Sequence, residues 1–292
     1  MQGPQGRRSR PHRLIAAAIP VTRALLFALI AASAATAACL QRPTEDPNRL
    51  VVGLTSGPSN LDPRFGFDDV SQKLHQLIYD SLLVLDDQMR LQPSLAETFT
   101  NPTPTTYVVS LRKGVKFHDG RELTAADVAW TFNSMLDVKL ASPRRGGLLP
   151  LTSVDAVDRY TARFNLSAPY TSFPINLLLT IVPDGSDASL KDHPIGAGPY
   201  RFVSQVTDDR VELQAFPDYW RGAPRNSGLL LKVVPDEVMR ALEVSHGTMD
   251  LVVNDISPDI YFQLRTARDL QTTTSNGVDS QYMGINMRDP IL

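Results

Sequence analysis

Apolar and polar positions along the chain alternate in some stretches and recur at helical spacing in others, and this pattern divides the chain into many short elements. Leu50-Val51-Val52-Gly53-Leu54-Thr55 is an apolar run closed by Ser56-Gly57-Pro58-Ser59-Asn60, which reads as a strand entering a turn. Val70, Leu74, Leu77, Ile78 and Leu82 return every three or four residues and predict an amphipathic helix over 69–83. Thr106–Arg112 is rich in β-formers; Lys113-Gly114 turns the chain, Val115–Phe117 resumes the strand, and Asp119-Gly120 signals a hairpin. Thr124 with Asp127 marks a helix start, and Val128, Phe132, Met135 and Leu136 share one face of that helix.

Tyr160, Ala162, Phe164 and Leu166 alternate, as do Val211, Leu213 and Ala215, so each set predicts a strand with one buried face. The apolar run Leu229–Val234 ends at Pro235-Asp236. Residues 236–246 read as a helix with Val238, Met239 and Leu242 inward and Gly247 as its stop, followed by a strand at Asp250–Val253. Strand, helix and strand in this order imply a parallel pair joined by a right-handed crossover. Gln281–Met287 is strand-like, and after it Arg288–Leu292 brings no helix stop and no polar tail, so the end reads as interrupted. No internal repeat or low-complexity tract is present.

The first 38 residues follow a different logic. Arg7, Arg8, Arg10, Arg13 and Arg23 precede the apolar run Ala24–Ala32, and small residues follow to Ala38, the layout of a secretory signal. The run is too short for a comfortable membrane span. Cys39, the chain's single cysteine, stands directly after it. In that position it resembles a lipobox cysteine, whose acyl chains would anchor an exported domain to a membrane. Thr36 departs from the lipobox pattern, and cleavage after Ala37 is the alternative. Residues 39–47, with Pro43 and Pro47 and little apolar content, read as a tether.

Composition narrows the class. At 42% hydrophobic and 21% charged, the 292 residues fit a globular protein with a buried core and exclude disordered and collagen-like classes. The formal charge of −2 conceals an asymmetry: beyond residue 38 there are 24 basic and 31 acidic residues, a net of −7. That balance supplies no electrostatic footprint for nucleic acid.

Candidate chemistry is sparse. His12, His75, His118, His193 and His246 form no H-E-x-x-H and no close pair, so no metal site is expected. His118-Asp119 reads as a turn after a strand rather than an acid–base pair. Gly196-Ala197-Gly198 leads into Pro199, which lacks the amide a dinucleotide loop needs, so it reads as a turn feeding a strand at Tyr200–Val203. Asp218-Tyr219-Trp220 reads as a packed corner rather than a stacking platform. No serine lies in a G-x-S-x-G elbow, so no nucleophile stands out and no cofactor is expected; the chain does not read as an enzyme.

An ordered set of segments carries a family resemblance: Asn60-Leu61-Asp62-Pro63, Ile78–Leu83, Gln92–Glu97, Leu111–Gly120, Leu123–Val128, Pro194–Tyr200, Pro217–Gly222, Ala241-Leu242 with Gly247 and Asp250, and Tyr282 with Gly284, Ile285 and Asn286. Together they resemble the bacterial extracellular solute-binding proteins of family 5, the dipeptide-, oligopeptide- and nickel-binding components of ABC importers. Asn101-Pro102-Thr103-Pro104 stands where that family usually has an Asp-Gly turn.

The resemblance implies an α/β fold: a core lobe like that of type II periplasmic binding proteins, with an inserted subdomain and the second lobe missing. It implies a core lobe from 48–67 plus 193–281, an inserted subdomain at 68–192, and a crossover beginning at 282–292, after a signal at 1–38 and a lipidated tether at 39–47. It further implies a monomer that takes a small-molecule or peptide ligand, docks on an ABC permease and ATPase complex, is held to the membrane through Cys39, and works in the periplasm or cell envelope. The loop Ser56, Gly57, Pro58, Ser59 and Asn60 would line the cleft and pair with the ligand through its backbone. A sensory solute-binding domain and a non-functional remnant are the alternative readings.

Overall fold

The computed structural model describes residues 46–253 and 256–274. The chain divides into two units, Met1–Asp46 and Pro47–Leu292, and nearly all described residues belong to the second. The expected signal, Cys39 and the strand-like run at Gln281–Met287 lie outside the described residues, as does most of the tether.

In chain order the strands are β1 (Arg49–Leu54), β2 (Leu83–Leu85), β3 (Leu91–Pro93), β4 (Ala96–Thr103), β5 (Thr106–Leu111), β6 (Leu151–Asp158), β7 (Thr161–Leu166), β8 (Tyr200–Val206), β9 (Arg210–Ala215), β10 (Gly228–Val233) and β11 (Leu251–Val252). The α-helices are α1 (Asp69–Ile78), α2 (Ala125–Leu136), α3 (Arg145–Leu148), α4 (Glu237–Ser245) and α5 (Pro258–Leu264).

The first sheet has the order β11-β1-β10-β9-β8. β1 runs parallel to both β10 and β11, while β9 is antiparallel to β10 and to β8. β10 and β11, joined through α4, run parallel as expected, but each pairs with β1, which lies between them, rather than with the other. Because side chains alternate across a strand, Leu54, Leu229, Leu231, Val211 and Leu213 project on one face. There they bury Val70, Leu74 and Ile78 of α1 together with Leu61, Tyr79, Val182 and Leu190. Lys232, on the opposite parity, reaches Glu243 of α4 at 2.7 Å, so α4 covers the other face.

The second sheet, β4-β5-β7-β6, is antiparallel throughout. Its core packs Val109, Phe164 and Leu166 against Val128, Phe132 and Met135 of α2. Phe132 and Phe164 meet edge to face at 5.0 Å. Each such buried side chain stabilises the fold by roughly 1.5–3 kcal/mol. The expected start of α2 is present: the Asp127 carboxylate accepts from the Thr124 amide at 2.7 Å and from its hydroxyl at 2.9 Å. Its other oxygen takes the Asp184 amide at 2.8 Å, which ties a distant loop to the cap.

Three local expectations need correction. The first helix ends at Ile78 rather than 83. Leu82 continues the helical spacing by coincidence, since it is buried in the second core while Leu74 and Ile78 are buried in the first. Val115–Phe117 does not resume a full strand, and Lys116 makes a single bridge to Glu122 between turns at Gly114 and Gly120. In α4 the expected inward residues Val238, Met239 and Leu242 are instead 44–53% exposed. The buried residues are Arg240 and Ala241. Arg240 turns inward because its Nη1 donates to the carbonyls of Val234 at 2.6 Å and Pro235 at 2.8 Å just past the end of β10. Gly247, at φ +68°, occupies the left-handed stop expected of it.

Candidate functional site

Ligands of parallel α/β sheets lie beyond the carboxyl ends of the strands, where neighbouring connections leave in opposite directions. β1 is such a place, since it lies between β10 and β11, and its two flanking helices cover opposite faces. The chain leaving β1 is the loop Ser56–Asn60. It departs beside the end of β10, where the Val234 amide donates to Leu54 O at 2.8 Å.

A cleft of about 590 Å³ opens against this loop. Pro58, Ser59, Asn60 and Leu61 form its floor, Lys191, Asp192 and His193 one wall, and Phe202–Gln205 with Thr207 the other. Of the five residues expected at the site, Pro58, Ser59 and Asn60 line this cleft. Gly57 lies beside it against the β8–β9 turn, where a Cβ would come 3.5 Å from Asp208 Oδ1. Ser56 is exposed and is not among the lining residues.

The lining mixes apolar residues, Pro58, Leu61, Phe202 and Val203, with polar ones that carry both signs of charge. Lys191 and Asp192 are 3.8 Å apart and largely exposed, too loose a pair to be worth much by itself. Ser204, Gln205 and Thr207 come from β8 and the turn after it, and β8 is the edge strand of the sheet among the described residues. Nothing in the sequence singled out these three or the Lys191–His193 wall, because polar residues near a strand end are ordinary turn chemistry.

The loop is fixed from below. Asn60 accepts the Asp62 amide on its Oδ1 at 2.8 Å, donates its own amide to Ser71 Oγ at 3.2 Å, and presents its carbonyl to His75 Nε2 at 3.0 Å. Burial pushes the His75 imidazolium down to about 4, so at neutral pH the ring is uncharged. Ser59 Oγ donates to the Asp68 carboxylate. Burial raises the Asp68 carboxyl, but hydrogen bonds from Ser59 and Ser71 outweigh it and leave the group below the usual carboxylate range. Next to the loop, Arg64 and Asp62 form a buried ion pair at 2.8 Å, and Arg64 also donates to the carbonyls of Ser186 and Asp187.

The motifs set aside in the sequence have structural partners. His118 Nε2 donates to Gly198 O at 3.0 Å and its Nδ1 accepts from the Gly196 amide at 3.3 Å, while Asp119 pairs with Arg121. Gly196 and Gly198 let the backbone pass Ile78 so closely that a Cβ at Gly196 would lie 2.0 Å from Ile78 O. Tyr219 and Trp220 donate to Asp80, and the guanidinium groups of Arg112 and Arg221 lie over the Trp220 ring at 5.1 Å and 4.5 Å from its centre. Among the described residues, no group of three or more His, Cys, Asp or Glu side chains could hold a metal ion.

Residues 90–292 match the family described as bacterial extracellular solute-binding proteins, family 5 Middle. Protein XP55 of Streptomyces lividans is 32% identical over 253 residues, which span 83% of this chain and 45% of that protein. The glutathione-binding protein GsiB of Escherichia coli is 29% identical over 280 residues, 91% of this chain and 53% of its own. The oligopeptide-binding protein AppA of Bacillus subtilis, solved with a nonapeptide, superposes with a TM-score of 0.72 at 28% identity, covering 76% of this chain and 47% of AppA. The chain thus spans about half the length of the relatives it matches. The matched half has the type II periplasmic binding protein architecture. With the family pattern matched over more than half its length, the chain belongs to the bacterial extracellular solute-binding proteins of family 5.

Proposed function

We propose that this chain serves solute capture for an ABC importer, binding a small peptide at the cleft over the Ser56–Asn60 loop. The observation that carries the reading is the lining of that cleft: Pro58, Ser59 and Asn60 of the loop that follows β1 meet Lys191–His193 and the edge strand β8 around it. GsiB and AppA, named for glutathione and oligopeptide binding, favour a peptide among polar solutes. The lining suits one, because Ser, Asn, Gln and Thr side chains offer both donors and acceptors to amide groups. Membership of a solute-binding family favours binding over catalysis as the role.

In the same reading residues 1–38 direct export and Cys39 carries the acyl anchor, which places the protein in the cell envelope beside its permease and ATPase. Residues 48–67 plus 193–281 act as the core lobe and 68–192 as the inserted subdomain. The strands of the two sheets fall on either side of that division, while α1 packs on the first sheet.

Isothermal calorimetry with glutathione, Met-Leu and the tetrapeptide Ser-Thr-Ser-Ala, against free glycine and glucose, tests the proposal. Saturable binding of at least one peptide, with none of glycine or glucose, is expected. Absence of peptide binding at millimolar concentration would overturn it.

A further inference from the structure

We infer that helix α1 is the positioning element of the candidate solute loop and that His75 is its central positioning residue. The inference rests on the reading of Ser56–Asn60 as part of the solute site.

Asp68, Ser71, His75 and Tyr79 follow one another at spacings of three, four and four residues, which puts Ser71 and His75 on one stripe of α1 between its N-cap Asp68 and its C-cap Tyr79. Each holds a different part of the loop. The N-cap Asp68 accepts from Ser59 Oγ. Ser71 Oγ accepts the Asn60 amide at 3.2 Å, His75 Nε2 meets the Asn60 carbonyl at 3.0 Å, and Tyr79 donates its hydroxyl to the Leu61 carbonyl at 3.1 Å. Three successive lining residues of the cleft, Ser59, Asn60 and Leu61, are thereby bound to α1 and its two caps. Ser71, His75 and Tyr79 are each at most 3% exposed, so water does not compete for these bonds.

The central bond has a defined direction. A carbonyl oxygen only accepts, so Nε2 carries the proton and donates it. Gly66 closes the arrangement: a Cβ there would lie 2.3 Å from Asn60 O and 2.9 Å from His75 Cε1. Neither the carbonyl nor the ring has room to swing toward that side. A run of Gly, Pro, Ser and Asn would otherwise sample many conformations. Held in one, it loses less entropy when a solute binds, and the binding surface is preformed.

The test compares His75→Ala and His75→Gln in the full chain by amide hydrogen exchange and by calorimetry with Ser-Thr-Ser-Ala. Losing the buried bond in His75→Ala should speed exchange at residues 60–62 about tenfold, with the amides of β1 and β10 unchanged. The glutamine side chain restores a donor and should return exchange to within about threefold of the parent. Affinity for the tetrapeptide should fall and recover in parallel. Unchanged exchange at 60–62, or an equal acceleration in β1 and β10, overturns the positioning role, as does parent-like affinity in His75→Ala. If the parent chain binds no tetrapeptide, the solute reading fails, and the exchange data still decide whether His75 positions the loop.

Discussion

Trp220 donates its indole N–H to Asp80 Oδ2 at 2.8 Å, across 140 residues of sequence. The same oxygen accepts the Tyr219 hydroxyl at 3.1 Å, and Oδ1 accepts the hydroxyl of Ser94 at 3.1 Å and the amide of Ser81 at 3.2 Å. One buried carboxylate thus gathers the 217–222 corner, the chain leaving α1 and the chain entering β4. Burial, and then the Asp80 charge, raise the Tyr219 phenol above its usual range, which keeps it a donor at any physiological pH.

Removing Asp80 leaves several partly buried donors without an acceptor, whereas removing the indole N–H leaves one acceptor short by one bond. Asp80→Ala should cost about 3 kcal/mol or more and Trp220→Phe about 1 kcal/mol. Urea unfolding monitored by circular dichroism measures both. Equal losses would show that the aromatic packing of Trp220, and not the carboxylate, holds this corner.

The glycines at 196 and 198 make a second quantitative case. Their side-chain positions are filled by the backbone at Leu77 and Ile78, with the nearest atoms at 2.0 Å and 2.6 Å. Gly196→Ala or Gly198→Ala should destabilise by about 3 kcal/mol or fail to fold, because the backbone at the end of α1 has to move. Gly146, with nothing within 4 Å of its side-chain position and a place in α3, is the control. Gly146→Ala should be neutral or stabilise by up to about 1 kcal/mol. Thermal denaturation of the three variants checks the ordering.

Stability should depend on pH through His75. Its ordinary value is 6.5 and burial holds it near 4 in the folded protein, with Arg144, Asp62 and Asp68 as its charged neighbours. Below pH 6.5 the unfolded chain takes up a proton there that the folded chain refuses. Stability present above pH 6.5 is therefore lost as pH falls toward 4, by about 3 kcal/mol for this group. His118 is displaced in the same direction, chiefly by burial, and adds to the trend. In His75→Gln the loss between pH 6.5 and 4 should shrink; an unchanged slope would remove His75 as its source.

Much of this fold could be read from the chain because local pattern and burial agree. The alternation of Val211 with Leu213 and of Ala162 with Phe164 matches which side chains the sheets bury, and Thr124 with Asp127 starts α2 as its composition requires. The pattern failed where two cores or a buried charge intervened. Leu82 extends the spacing of α1 while belonging to the other core. In α4 apolar side chains were expected to face inward, but carbonyls past the end of β10 draw Arg240 in and leave Val238 and Met239 outside. The loop Ser56–Asn60 was visible as a turn and, through resemblance, as a site. The wall opposite it, Lys191–His193, is brought there by tertiary folding from more than 130 residues away and carries no local signal.

The two faces of α4 should respond differently to substitution. Val238→Lys and Met239→Lys, on the exposed face, should each change stability by no more than about 0.5 kcal/mol. Arg240→Ala leaves the Val234 and Pro235 carbonyls without that donor and should cost about 1–3 kcal/mol. Chemical denaturation distinguishes them, and a large loss at Val238 or Met239 would mean that this face is covered in solution.

Solute is proposed to bind at the cleft between the Pro58–Leu61 loop, the Lys191–His193 wall and β8. Amide chemical-shift mapping during titration of the ¹⁵N-labelled chain with the tetrapeptide Ser-Thr-Ser-Ala tests it most directly. Saturable shifts concentrated at residues 59–61, 191–193 and 202–207 are expected. Absence of saturable shifts, or shifts centred instead on the smaller cavity beside Phe67, Arg144 and Leu179, would contradict it.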